Sequence, residues 1–472
     1  MTPIMAAAIN GDLDTVEFLV DMKAELHNKD LKDQSIIHLA AQHDQHDVIE
    51  LMLDHQRTER DFMVNENDQY DNTPLHIACQ KGFLETVKVL VDHGADCDNK
   101  NEDEKTPFHM AAASGHTEVV KYLLEVDKTA VNDKDEDDNT ALHLAATNKM
   151  TNTVEILLEH GSSVHERNDN FWTPLDCAAA AGAYKCVLKL LEHGSKIDPT
   201  DRKNTTPLHL SAMFGHNNIT QLLLDNGADI QIENDNRRNA LEIAVEFGNK
   251  EVADTILASE HWRTALKTAI PTSDGKLDTP MRMMIRKFPE LAKKVLDRCI
   301  KKSEKKEETY LFDYTFLEDA YHFRKAGGSY VYEEELQPEP YDRPIAVENN
   351  HPLELMVKQK QKHLLKHPLC LALLRQKWNG SGMFVFILQI LLYCGYLTSI
   401  TTYVLFRNEE SFIPDANQGK ITITRYILFV FIILGLLKEF WDLNLVIKTV
   451  TNTYVLNTYN IMIDETELLQ LL

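Results

Sequence analysis

Five histidines, His38, His76, His109, His143 and His209, return at one position of a recurring pattern. Imidazoles ligate metals and carry protons near neutral pH, so such a set could be a metal centre or a row of bases. Their spacing argues against both. One histidine per repeat spreads the rings along the chain, and Asp176 and Glu242 take the same position in two further copies. A structural hydrogen-bonding role is expected, with no catalytic residue, metal or cofactor. The run Asp133-Lys134-Asp135-Glu136-Asp137-Asp138 sets carboxylates at alternate positions, as a calcium loop begins. It has Asp138 where that loop needs glycine and Leu144 where it needs a twelfth-position glutamate, so it reads as a solvated loop tip. Seven cysteines, Cys79, Cys97, Cys177, Cys186, Cys299, Cys370 and Cys394, form no C-x-x-C pair and no disulfide spacing, which points to a reducing compartment. Kinase-loop, phosphate-loop and G-x-S-x-G signatures do not occur, and an enzyme is not expected.

The elements that carry these residues repeat. The pattern Thr-Pro-Leu-His and its variants start at Thr2, Ser35, Thr73, Thr106, Thr140, Thr173, Thr206 and Asn239. Six of the seven intervals are 33 or 34 residues, and only Ser35 to Thr73 is longer, at 38. A period near 33 with this tetrapeptide is the ankyrin signature. In the third copy Thr73 supplies a capping hydroxyl, Pro74 fits the first helical turn, and Leu75 and Ala78 face inward. Gly82 closes that helix, as do Gly11, Gly115, Gly182, Gly215 and Gly248 at the same offset. A second helix follows with Leu84, Val87, Leu90 and Val91 at helical spacing. One such pair cannot bury its apolar face alone, so the copies are expected to stack as a solenoid over residues 1–260.

Beyond Glu260 the register fails, and Thr279-Pro280-Met281-Arg282 is at best a relic of the motif. Residues 261–350 read as a mixed α/β linker: short helices over 280–300, a charged turn over 301–308, and strands near Tyr310–Phe316 and Ser329–Tyr332. A pre-membrane helix is expected over 351–382, carrying Lys358, Lys360, Lys362, Lys366, Arg375 and Lys377 and broken at His367-Pro368. Residues 383–406 hold no charge and would span ~36 Å as a helix, enough for the ~30 Å hydrocarbon layer. A second span is expected over 421–441, an extracellular loop over 407–420, and a cytosolic segment over 442–472. The basic residues before the first span put the array in the cytosol, under a plasma membrane. A net charge of −24 speaks against nucleic acid as a partner.

The order of these parts, with Val295-Leu296-Asp297-Arg298-Cys299, Tyr310-Leu311-Phe312-Asp313-Tyr314, Leu364-Leu365-Lys366-His367-Pro368-Leu369-Cys370 and Gln376-Lys377-Trp378, resembles the ankyrin-type transient receptor potential (TRPA) cation channels. That resemblance implies a mainly α subunit whose array couples cytosolic signals to the gate of a tetrameric, nonselective, calcium-permeable channel. The family carries six membrane helices, so two expected spans are read as the start of its channel domain in a chain truncated at both ends, and 472 residues are expected not to conduct alone. Cys299 and Cys370 match the linker cysteines through which family members sense electrophiles. Arg298, Lys301 and Lys302 beside Cys299, and Lys366 near Cys370, are expected to lower the thiol pKa. The other reading of the same residues is a membrane-tethered ankyrin scaffold that binds protein partners on its concave face and has no channel activity.

Overall fold

A computed structural model describes residues 1–55, 60–271, 277–302, 310–318, 323–326, 329–332 and 351–379, with single positions between 383 and 398. The chain divides into two units, Met1–Ala265 and Leu266–Leu472.

Each motif copy in the first unit starts a helix with its own cap. Thr73, Thr106, Thr140, Thr173, Thr206 and Asn239 are extended residues that open helices Pro74–Lys81, Pro107–Ser114, Ala141–Thr147, Pro174–Ala181, Pro207–Phe214 and Ala240–Phe247. Every one forms a reciprocal capping box with the residue three positions on, which satisfies two amide donors that a helix start leaves over. Gly82 ends its helix at φ +79°, a left-handed conformation that costs a residue with a Cβ far more. The turn delivers the second helix, Leu84–Asp92 in this copy, which packs on the first.

First helices pack side by side in chain order, and so do second helices, from Pro3–Asn10 and Leu13–Asp21 to Ala240–Phe247 and Lys250–Ala258. This is the expected solenoid. Leu75, Ala78, Val87 and Leu90 are fully buried between neighbours, while Leu84 and Val91 are half-buried. The long second interval accommodates an extra helix, Arg60–Val64, and the 34-residue interval a 3-10 turn, Thr129–Asn132. Extra residues therefore go into the connection between copies and leave the capped helices in register.

In the second unit Thr279 still caps helix Pro280–Lys287, accepting from the Arg282 amide, and a second helix, Pro289–Arg298, follows. The local chemistry of the motif thus survives where its register has lapsed. Lys301 and Lys302, expected in a turn, lie in strand Ile300–Lys302, which pairs antiparallel with Tyr310–Phe312. The strand at Ser329–Tyr332 is as expected, and its partner is Phe323–Ala326. The pre-membrane stretch is three helices, Pro352–Lys358, Lys362–Leu365 and Pro368–Lys377. Besides the break at His367-Pro368, Lys360 adopts φ +55° and ends the first of them.

Among the described residues no helix is long and apolar enough to cross a membrane. The expected second span, 421–441, and the segments on either side of it lie outside the described residues, as does most of 383–406. The positions described there, among them Met383, Phe384, Ile387, Leu388, Ile390 and Leu391, are helical, and those large apolar side chains are exposed.

Candidate functional site

The repeated histidines are held by their own caps. The Nδ1 atom of His143 accepts from the Thr140 N–H at 3.2 Å and bonds the Thr140 hydroxyl at 2.9 Å. An Nδ1 that accepts leaves the ring proton on Nε2, which donates to the Trp172 carbonyl of the next copy at 3.0 Å. His38, His76, His109 and His209 repeat the arrangement, reaching the carbonyls of Asn72, Lys105, Asp133 and Arg238. Burial keeps these rings neutral, lowering His76, His143 and His209 to about 4. A ring with both nitrogens committed has none to give to a metal or a substrate proton, so the histidines are rivets between copies.

Asp176 and Glu242 keep the cap and change the rivet. Asp176 Oδ2 accepts from both the N–H and the hydroxyl of Thr173, at 2.8 and 2.7 Å. Glu242 accepts from the Asn239 N–H at 3.0 Å, and there the Asn239 side-chain amide itself donates onward to the Ala265 carbonyl at 2.8 Å. The acidic loop is equally local in its commitments. Asp135 Oδ1 accepts from the amides of Asp137 and Asn139 and is almost fully buried, so it shapes the turn. Among the described residues no group of three or more His, Cys, Asp or Glu could hold a metal ion.

The two linker cysteines lie at the ends of neighbouring elements in the second unit. Cys299 terminates Pro289–Arg298, its carbonyl accepting from the Asp313 amide at 3.0 Å, and its side chain is buried. Cys370 sits in the first turn of Pro368–Lys377 with no exposed surface. Burial pushes the Cys370 thiol up to about 12, which corrects the expectation that Lys366 would lower it. A thiolate loses more by leaving water than a flexible surface ammonium returns. In this conformation Cys370 is a poor nucleophile.

A residue that spacing alone did not single out joins the two cysteine elements. His367 caps Pro368–Lys377 by accepting from the Leu369 N–H on Nδ1 at 3.3 Å, and its Nε2–H donates to Asp297 Oδ1 at 2.8 Å. Asp297 lies two residues before Cys299, and His367 three before Cys370. His351-Pro352-Leu353 uses the same cap, with the Leu353 amide on His351 Nδ1 at 3.2 Å. The recurrence of His-Pro-Leu was a visible signal for this cap; the Asp297 partner, 70 residues from His367, was not.

The first unit also presents a cleft of about 490 Å³ lined by Tyr70, Gln80, Glu102, Met110, Ser114 and Asn148. Its lining comes from the fingers and first helices of three successive copies. Lys105, on its rim, is tied to Asp103 at 3.0 Å.

Residues 4–265 match the family model for ankyrin repeats (3 copies) in four overlapping segments, 4–101, 58–135, 108–201 and 176–265. The chain is 32% identical over 394 residues to the transient receptor potential cation channel subfamily A member 1 homolog of Caenorhabditis elegans, covering 75% of this chain and 32% of that protein. It therefore spans about a third of that relative's length. A shorter likeness, 30% over 92 residues, connects it with serine/threonine-protein kinase 12 of Arabidopsis thaliana, covering 20% of this chain and 19% of the kinase. Three quarters of the chain is more than the repeats occupy, so the similarity to the channel protein continues into the second unit. The chain belongs to the ankyrin-repeat family, and its likeness to a transient receptor potential subfamily A protein extends past the repeats.

Proposed function

We propose that this chain is part of a subunit of a stimulus-gated, nonselective, calcium-permeable cation channel, with its ankyrin array in the cytosol and the segments after Gly382 in the plasma membrane. The observation that carries this is the reach of the similarity beyond the array, because ankyrin repeats alone occur in proteins of many functions. Two further features support it. Large apolar side chains are exposed at helical positions from Met383 to Leu391, where lipid would cover them. Six basic residues precede them, the charge asymmetry of a cytosolic flank. On this reading the subunit assembles as a homotetramer, and the helices over 280–298 and 352–377 couple the array to the gate.

Within that proposal Cys299 and Cys370 are candidate electrophile sensors. Since both side chains are buried, modification requires the second unit to open, and the cost of opening is what would tie thiol chemistry to conformation. The experiment is a chimaera in which residues 1–472 replace the matching part of the similar C. elegans protein. Stimulus-dependent cation current from assembled tetramers is the expected result; assembly at the cell surface without current would overturn the channel reading.

A membrane-tethered scaffold is the second reading, favoured by the cleft between Tyr70 and Asn148, which a protein segment could occupy. Carbonate washing tests what both share. The chain should stay with the membranes, and its release would remove the tether from either reading.

A further inference from the structure

Along motif copies two to eight, the capped helix start is fastened to the segment that follows the copy by a side-chain donor in all but one case. Histidine supplies it at His38, His76, His109, His143 and His209, and the Asn239 amide supplies it in the last copy. Copy six has Asp176 instead. Its Oδ2 is taken up by Thr173, while Oδ1 is buried and makes no hydrogen bond among the described residues. The side chain has no exposed surface. An ionised carboxylate can only accept, so it cannot replace an imidazole Nε2–H facing a carbonyl.

We propose that the joint between copies six and seven, already crossed by bonds from Arg167, Trp172 and His216, carries in addition a proton-operated coupling: ionised Asp176 leaves the bond from its capped helix start unmade, and protonated Asp176 donates from Oδ1 across the joint as histidine does elsewhere. By register the acceptor is the Thr205 carbonyl, since Lys105, Trp172 and Arg238 each lie 29 residues beyond the histidine they serve. Protonation removes a buried charge and creates the missing donor in the same step. Acid therefore stiffens this joint, and alkali loosens it.

The surroundings place the transition in a useful range. Burial raises Asp176 to about 7 from 3.8, against the lowering effect of the Thr173 bonds and of Arg167, with Asp201 adding to the rise. The other titratable groups on elements packed around it are His143 and His209 on the flanking first helices, Cys177 beside it, and Tyr184, Lys185, Cys186, Lys189 and Glu192 on the second helix of its pair, where Lys189 is paired with Glu155 and Glu192. The histidines lie at about 4 and Cys177 at about 12, and burial raises Cys186. The sign follows from linkage. A carboxyl whose folded pKa is raised contributes stability below its unfolded value, and that contribution is lost as pH rises through the folded value. If local opening restores an ordinary carboxyl, the closed joint is favoured about thirtyfold more at about pH 5.5 than at about pH 8.

Hydrogen exchange on the full chain in membranes tests this independently of the channel reading. After correction for intrinsic exchange, amides of 174–192 and 207–225 should gain roughly thirtyfold protection between about pH 8 and pH 5.5. Asp176→Asn should abolish that dependence, and Asp176→His, which restores the side chain that other copies carry, should reverse it to the loss of protection in acid expected of a buried neutral ring. A protonated-carboxyl infrared band should grow over the same range and vanish in Asp176→Asn. Protection that is flat with pH in the unaltered chain, or a dependence or band that survives Asp176→Asn, would overturn the proposal.

Discussion

His143 shows how much one side chain can hold. It closes a helix cap, fixes its own tautomer and reaches the next copy, all without exposed surface. Replacing it by alanine strands a buried amide and a buried carbonyl, each costing about 1–3 kcal/mol. His143→Ala should therefore lower the stability of the first unit by about 2–6 kcal/mol, read from the urea midpoint by circular dichroism. Protonation attacks the same bonds. Folded values near 4, below the ordinary 6.5, mean that the unfolded chain binds more protons between those limits. Stability supplied by His76, His143 and His209 is complete above about pH 6.5 and is lost as pH falls towards 4, on the order of 3 kcal/mol for each ring. Unfolding midpoints measured across that range should fall with acid, and a midpoint that stayed constant would mean that the rings are not neutral rivets. Asp176 has the opposite sign, so Asp176→Asn should steepen the acid loss.

At the scale of elements, the glycines that end the helices differ in what surrounds them. A methyl on Gly82 would come 2.2 Å from Nδ1 of His116, whose Nε2–H donates to the Gln80 carbonyl at 2.9 Å. Gly194 has a similar φ of +83° but nothing within 4 Å of the added carbon. Gly194→Ala should cost about 1 kcal/mol for the backbone alone, and Gly82→Ala at least about 1 kcal/mol more as the His116 ring is displaced. Equal losses in parallel melts would show that the ring moves freely. In the second unit, the link from His367 to Asp297 ties Pro368–Lys377 to Pro289–Arg298. His367→Ala should speed maleimide labelling of Cys370 by roughly thirtyfold, since a lost cap and a lost polar bond, at about 1 kcal/mol each, lower the cost of local opening. Unchanged labelling would place the barrier elsewhere. In the unaltered chain Cys97, which is partly exposed, should react before Cys299 or Cys370.

At the scale of the whole molecule, stability is distributed. Among the described residues each copy packs chiefly on its neighbours, so disruption at one joint is transmitted chiefly to the two beside it. Insertions between Ser35 and Thr73 and between Thr106 and Thr140 are absorbed in connections, and the stack continues. The second unit is built differently, from short helices and two-stranded antiparallel ribbons of neighbouring segments, with the bond from His367 to Asp297 joining helices far apart in sequence.

Sequence alone determined the capped helix pairs, their count and their order, because a threonine cap, a first-turn proline and a left-handed glycine act within nine residues of chain. It also argued against a metal role for the histidines, since one per repeat spreads the rings along the chain. It could not give the pairing of Ile300–Lys302 with Tyr310–Phe312, the bond from His367 to Asp297, or the elevated Cys370 thiol. Lysines near a cysteine in sequence suggested a lowered pKa, and burial by distant residues decided the opposite. Caps and turns are local bonds, written where they act; burial is a sum over neighbours that only folding brings together, and with it come the charge states of Asp176, the histidines and Cys370.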